Sequence, residues 1–337
     1  MREYTIGPND AGQRLDRWLG KTLPLLPAPL AQKYIRLKRV KVNGKGSKRD
    51  ARLVKGDILQ LYINDEFFQR PTPENAFLSV FKPRLDIVYE DEDLLLVNKR
   101  PGLVVHPDET ERVNTLITHI QAYLYQKKEW SPYEEGSFAP ALCNRIDRNT
   151  GGIVIAAKNA ETLRIMNQKI RDREVEKSYL CVILGAMSPP EGKLENVLLK
   201  DEQKKQVSVH RRAVEGGRTA VTLYRTLART RDLSLVECRL ITGRTHQIRA
   251  QFAAAGHPLL GDGKYGRERE NRRFGRSGQA LCSWRLSFRF TTDAGCLAHL
   301  NGRTWTVDRV DFAEEYFPAF SLASLEEGDG HAGEKNE

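Results

Sequence analysis

Leu15, Trp18 and Leu19 fall on one face of a helix, which Pro24, Pro27 and Pro29 bring to an end. Leu30, Tyr34, Ile35 and Leu37, set among Lys33, Arg36 and Lys38, predict a second helix over 30–38. Val40 and Val42 then alternate with Lys41 and stop at Asn43-Gly44, a strong hairpin-turn signal. After the turn Lys55-Gly56-Asp57, Ile58, Leu59, Leu61 and Ile63 predict a last strand. Residues 1–64 therefore read as a small helix-plus-hairpin module. Residues 65–83 show no long period, carry Pro71, Pro73 and Pro83, and read as a linker.

From Leu85 the pattern turns strand-rich. Asp86–Tyr89 and Leu94–Lys99 flank the acidic turn Glu90–Asp93 as a hairpin. Residues 113–128 (Leu116, Ile120, Leu124) and 159–174 (Leu163, Met166, Ile170) carry apolar positions at helical steps. Ile153–Ala157 is an unbroken apolar run, the mark of a buried strand. Further strands are expected at 178–184, 219–228, 234–241 and 283–290. This order describes an α+β domain over 84–320, with a mixed, mostly antiparallel sheet and flanking helices rather than a βαβ array. The tail 321–337, rich in Glu, Gly and Ser, reads as disordered.

Charge sharpens the picture. Lys and Arg number 54 against 44 Asp and Glu, a net +10. Residues 1–64 hold 14 basic and 5 acidic residues, so nearly all of the excess lies in the first fifth of the chain. Between Lys33 and Lys55 ten basic residues face Asp50 alone. A solvated face is the ordinary reading of a charge run, but this density favours a nucleic-acid partner. Lys33, Arg36, Lys38, Arg39 and Lys41 are the candidate phosphate contacts. The five cysteines (143, 181, 238, 282, 296) form no Cys-x-x-Cys and the seven histidines no His-x-x-x-His, so neither a disulfide framework nor a metal site is expected. The first residues lack an apolar signal core, and no run approaches the roughly 20 apolar residues of a membrane span. No membrane association and a cytoplasmic place are therefore expected, with a monomer as the default.

Four strings carry candidate chemistry. In Asn144–Gly152, Asp147 stands near Arg145 and Arg148, ahead of a Gly-Gly turn and the buried strand. This is a carboxylate at a strand edge beside cations suited to phosphate, although Asp before Asn-Thr-Gly-Gly is also ordinary turn chemistry. In Thr242–Arg249, Gly243 can make a tight turn, and Arg244, His246, Gln247 and Arg249 are costly to bury unpaired, which suggests a cleft. Tyr179, early in a predicted strand, either faces a cleft or packs in the core. Gly261–Gly266 matches G-x-G-x-x-G, but lacks the preceding strand and following apolar helix of a dinucleotide site.

Taken in order, these strings resemble the RluA/RluD group of pseudouridine synthases over roughly residues 84–318. The matching pieces are Val88–Leu94 through Val97-Asn98-Lys99, Gly102–Pro107, Arg145-Ile146-Asp147 with Thr150-Gly151-Gly152, Lys177-Ser178-Tyr179, Thr242–Arg249, and Gly256–Leu259 with Gly261-Asp262. Residues 12–63 resemble the alpha-L RNA-binding module that often precedes this domain, through Arg14-Leu15-Asp16, Val40–Gly44 and Gly56-Asp57. Two positions depart from the family pattern: Asn144 stands where His is usual, and Gly151-Gly152 where Ser-Gly is usual.

The resemblance implies isomerisation of uridine to pseudouridine in RNA, without cofactor. It implies Asp147 as the essential carboxylate, nucleophile or general base, Arg249 as its ion-pair partner, and Tyr179 packed against uracil. Arg145 would fill the space of a flipped-out base. Arg244, His246 and Gln247 would join the RNA contacts. Ribosomal RNA of the large subunit is favoured over transfer RNA. The alternatives are a catalytically silent RNA-binding or ribosome-assembly protein on the same scaffold, and a hydrolase, which would need a second carboxylate that these strings lack.

Overall fold

The structure, a computed structural model, describes residues 1–7, 10–69, 72, 75–132, 138–201, 203, 205–323 and 325. Its contacts divide the chain into two units, Met1–Leu85 with Val104–Ala139, and Asp86–Leu103 with Pro140–Glu337.

The first unit opens with β1 (Arg2–Thr5), α1 (Leu15–Thr22), α2 (Ala28–Arg36), β2 (Val40–Val42), β3 (Lys45–Gly46) and β4 (Ile58–Leu61). Its antiparallel sheet runs β1-β4-β2-β3. α1 buries Leu15, Trp18 and Leu19, the face its spacing requires. α2 begins two residues earlier than expected, with Pro29 near its start where a missing N–H costs nothing. Leu37, expected on its buried face, is 56% exposed just past the helix end. Lys33, Arg36, Lys38 and Arg39 are all exposed along α2 and the turn after it. Residues 65–83, read as a linker, contain two short 3-10 turns, and Phe77 is buried with edge contacts to Tyr125 and Trp130. Those partners belong to α3 (Leu116–Lys127) and the loop after it, and Thr115 caps α3 by accepting from the Thr118 N–H.

The second unit is built on a large sheet. Its strands are β5 (Ile87–Glu90), β6 (Leu94–Lys99), β7 (Ala141–Leu142), β8 (Gly151–Ala157), β9 (Val175–Leu184), β10 (Glu191–Asp201), β11 (Gln206–His210), β12 (Arg218–Arg229), β13 (Leu233–Leu240), β14 (Leu281–Phe288) and β15 (Thr304–Thr306). The order is β11-β10-β12-β13-β9-β14-β8-β6-β5, with β15 beside β14 and β7 beside β8. Among the described residues all pairings in this sheet are antiparallel except β14 with β8, which run parallel through Cys282–Gly151 and Ser283–Gly152. The helices are α4 (Ala160–Arg171), capped by Asn159, then α5 (Gln247–Ala254), α6 (Glu268–Arg273) and α7 (Asp311–Tyr316). The α+β architecture with a mostly antiparallel sheet is thus as expected.

Every residue of β8 is buried, which is why Gly151–Ala157 reads as a continuous small-and-apolar run rather than an alternating one. Gly152 is required here: at φ +107°, a Cβ would lie 2.2 Å from the Ser283 carbonyl oxygen. The main core joins β6, β8, β9, β13 and β14 to α7 through residues such as Leu96, Ile155, Leu180, Leu235, Trp284 and Phe312. Of the tail expected to be disordered, Leu325 is buried in this core, and residues 324 and 326–337 lie outside the described residues. Among the described residues no helix is long and apolar enough to cross a membrane.

Candidate active site

Asp147 sits in the turn between β7 and β8, and the backbone there is tied from several sides. Cys143 N–H donates to the Ile155 carbonyl and the Ile155 N–H to Asn144 Oδ1, both at 2.8 Å. Asn144, in the family's usual His position, thereby anchors the turn to β8. Thr150 N–H closes the turn on the Asp147 carbonyl at 3.0 Å. Next to Asp147, the Arg148 carbonyl accepts from Gly102 N–H and from Lys99 Nζ, each at 2.9 Å. Lys99 is 1% exposed, and its ammonium also donates to the carbonyls of Arg100 and Leu103. Burial pushes its pKa down to about 7, against the pull of nearby Asp147.

Arg249 projects from the first turn of α5. Its Nη1 donates to Asp147 Oδ2 at 2.6 Å, while Nε and Nη2 grip both oxygens of Asp262 at 2.7 and 2.9 Å. The fork uses the planar geometry that only arginine offers. Asp262 is also held by the N–H groups of Lys264 and Tyr265. Burial alone would raise the Asp262 carboxyl, but the Arg249 fork and these N–H groups outweigh it and hold it below the usual carboxylate range. Burial likewise opposes the Arg249 charge, and the two carboxylates more than restore it. The Asp262 side chain is wholly buried and that of Arg249 is 8% exposed, whereas Asp147 is 27% exposed. Asp147 is thus the carboxylate of this trio that can meet a substrate.

His246 begins α5 in a left-handed conformation (φ 52°), the role expected of Gly243, which does not have positive φ. Its Nδ1 lies 2.8 Å from the Tyr265 hydroxyl, which also accepts the Val207 N–H. Its Nε2 lies 3.8 Å from Asp147 Oδ2. Burial, partly offset by Asp147 and reinforced by Arg249, lowers the His246 pKa. Tyr179 on β9 is 6% exposed, and burial raises its phenol to about 12. Asp147, Tyr179, His246 and Arg249 line a cleft of about 520 Å³ together with Arg145, Lys177 and Arg244.

A family model described as RNA pseudouridylate synthase matches residues 93–254. A relative from Bacillus subtilis (strain 168), described as the uncharacterized RNA pseudouridine synthase YlyB, is 31% identical over 286 residues, covering 85% of this chain and 89% of its own. The chain belongs to the RNA pseudouridylate synthase family.

The synthase is also 32% identical over 265 residues to ribosomal large subunit pseudouridine synthase D of Escherichia coli (strain K12), covering 78% of this chain and 75% of that one. The solved structure of human RNA pseudouridylate synthase domain containing 1 shares its fold with a TM-score of 0.57 at 19% identity, covering 75% of this chain and 98% of that one. The synthase is an enzyme that isomerises uridine in RNA to pseudouridine.

The structure of the synthase brings Asp147, Tyr179, Arg249, Arg145, Arg244, His246 and Gln247 to one cleft. Gln247, expected among the RNA contacts, is 3% exposed and its amide is spent within the protein. It donates to Val221 O and Thr222 Oγ1 and accepts from Thr242 Oγ1 and Arg244 N–H. It therefore shapes the loop from inside. Lys33, Arg36, Lys38, Arg39 and Lys41 belong to the other unit. Asp262, Tyr265 and Lys99 were not singled out as site residues from the sequence. Asp262 and Tyr265 lie inside the glycine-rich run that imitates a dinucleotide motif, and that run folds as the loop that grips Arg249.

Proposed function

We propose that Asp147 is the catalytic carboxylate of the isomerisation and that large-subunit ribosomal RNA is the substrate. The observation that carries the first part is the fork of Arg249, which joins a fully buried Asp262 to a solvent-reachable Asp147. One carboxylate is used to hold the guanidinium, and the guanidinium holds the other carboxylate in place for chemistry. In the reaction the C1′–N1 bond breaks, the uracil turns, and C5 bonds to C1′. The C5 proton leaves and N1 gains one, so no oxidant, reductant or water is consumed. Asp147 acts at the ribose or as base. Tyr179, kept as a neutral phenol by burial, packs against the uracil ring.

A stacked uridine must leave its helix to reach this cleft, at a cost of a few kcal/mol. Arg145, exposed at the mouth, fills the vacated space. Arg244 and the exposed Lys33, Arg36, Lys38 and Arg39, with Lys41, contact phosphates, and the chain acts as a cytoplasmic monomer. Preference for ribosomal RNA is supported by the relative named for that substrate and by the basic N-terminal segment.

The test is pseudouridine mapping of ribosomal and transfer RNA from cells with and without this gene, and with an Asp147→Ala copy. Loss of modification at particular ribosomal uridines, restored by the wild-type copy and not by Asp147→Ala, is the expected result. Loss confined to transfer RNA would overturn the substrate, and restoration by Asp147→Ala would overturn the catalytic assignment.

A further inference from the structure

The cleft has more positive charge than its described carboxylates answer. Of its cations, Arg249 is committed to Asp147 and Asp262, and Arg239 lies 4.0 Å from Glu176. The side chains of Lys177 and Arg173 make no hydrogen bond or ion pair with any described residue, and both residues line the cleft. Lys177 is the more telling. Its side chain is half-buried, and burial lowers its pKa with no carboxylate opposing the shift. A half-buried ammonium without a partner is costly to keep, so its natural complement is an anion that arrives from outside.

Position indicates which anion. Lys177 stands two residues before Tyr179 on β9, so the two side chains emerge on the same side of the strand, about 6.7 Å apart along it. That step is comparable to the reach from a nucleobase to its own backbone phosphate. Arg173 precedes β9 in a left-handed turn (φ 64°) at the end of α4 and is exposed beside the same wall. We propose that Lys177, assisted by Arg173, binds one particular backbone phosphate of the RNA, adjacent to the flipped uridine. The subsite fixes the register of the strand over Tyr179. The proposal rests on the reading that uracil lies against Tyr179, and names a contact that this reading does not contain.

The test uses the full-length protein and a short RNA containing the uridine found by mapping. The RNA is made with natural linkages, or with a single neutral methylphosphonate at each linkage around the target in turn. Lys177→Met should raise KM roughly tenfold, as expected for loss of one charge-assisted contact. The loss should fall on KM rather than kcat, and the slope of log affinity against log salt should drop by about 0.7. Lys177→Arg should recover most of the affinity. At one linkage, and one alone, the methylphosphonate should weaken the wild type as much as Lys177→Met does, and add nothing further in that variant. Thermal melting of the variant, unchanged or higher because a half-buried charge is gone, separates binding from folding.

If the methylphosphonate and Lys177→Met losses multiply at every linkage, or if Lys177→Met lowers kcat with KM unchanged, the phosphate subsite is wrong while the catalytic reading stands. If the wild-type protein binds this RNA and forms no pseudouridine, the placement of uracil at Tyr179 fails and the subsite falls with it.

Discussion

The Lys99 ammonium donates to the carbonyl of Arg148 at 2.9 Å, one residue beyond Asp147. A side chain at the end of β6 thereby sets the backbone that presents the carboxylate. Lys99→Met leaves three carbonyls without this donor, that of Leu103 in a buried contact, which should destabilise the protein by about 2–4 kcal/mol. Turnover should fall more than RNA affinity, since the displaced group is Asp147. Urea unfolding and single-turnover kinetics check both.

The same residue predicts a pH effect. Lys99 loses its proton near pH 7 in the folded chain, but only near its ordinary 10.5 when unfolded. Between these values the unfolded state binds more protons, so this group makes folding more favourable as pH rises through 7. The charge-burial cost is present in full below 7. The difference in urea midpoint between wild type and Lys99→Met should therefore shift in favour of the wild type from pH 6 to 9, and a constant difference would contradict the depressed pKa.

Asp147→Asn keeps the shape of the carboxylate and removes its charge. Turnover should fall by at least about a thousandfold, with RNA affinity changed by less than about threefold. Rapid-quench assays beside a filter-binding titration make the comparison.

Asp262→Ala tests the buried half of the fork. It leaves the Arg249 guanidinium in an apolar setting with one partner instead of two, which should cost about 3–5 kcal/mol of stability. Chemical denaturation measures it, and a cost below about 1 kcal/mol would show that the Asp147 contact alone satisfies Arg249.

Replacing Lys38, Arg39 and Lys41 together by neutral residues should weaken RNA binding at low salt and reduce its salt slope by about 2. An unchanged slope would move the docking surface away from the N-terminal segment.

What could be read in advance follows from what leaves a periodic trace. β9, β12 and β13 were legible because buried strands repeat apolar residues, and α4 because Met166 and Ile170 mark one face. β10 was not: within Glu191–Asp201 only Leu198 is buried, so the strand carries no buried apolar repeat. Asp147 and Arg249 could be paired through family resemblance, yet nothing local showed that Asp262 completes the fork. A lone Lys99 at a strand end reads as a solvated charge until the three carbonyls around it are seen. His246 in a left-handed turn was equally hidden, because Gly243 two residues after the predicted strand offered the cheaper guess.

The fork also sets an order of events for the growing chain. Asp147 and Arg249 are separated by 102 residues, and the parallel joint of β8 joins it to β14, which is made later still. Contacts of such long range form late, because the loop between them must close first. A chain emerging from synthesis therefore carries its carboxylate long before the guanidinium exists to hold it. A partly made chain can therefore present the basic N-terminal segment to RNA while the pair of Asp147 and Arg249 is still unassembled.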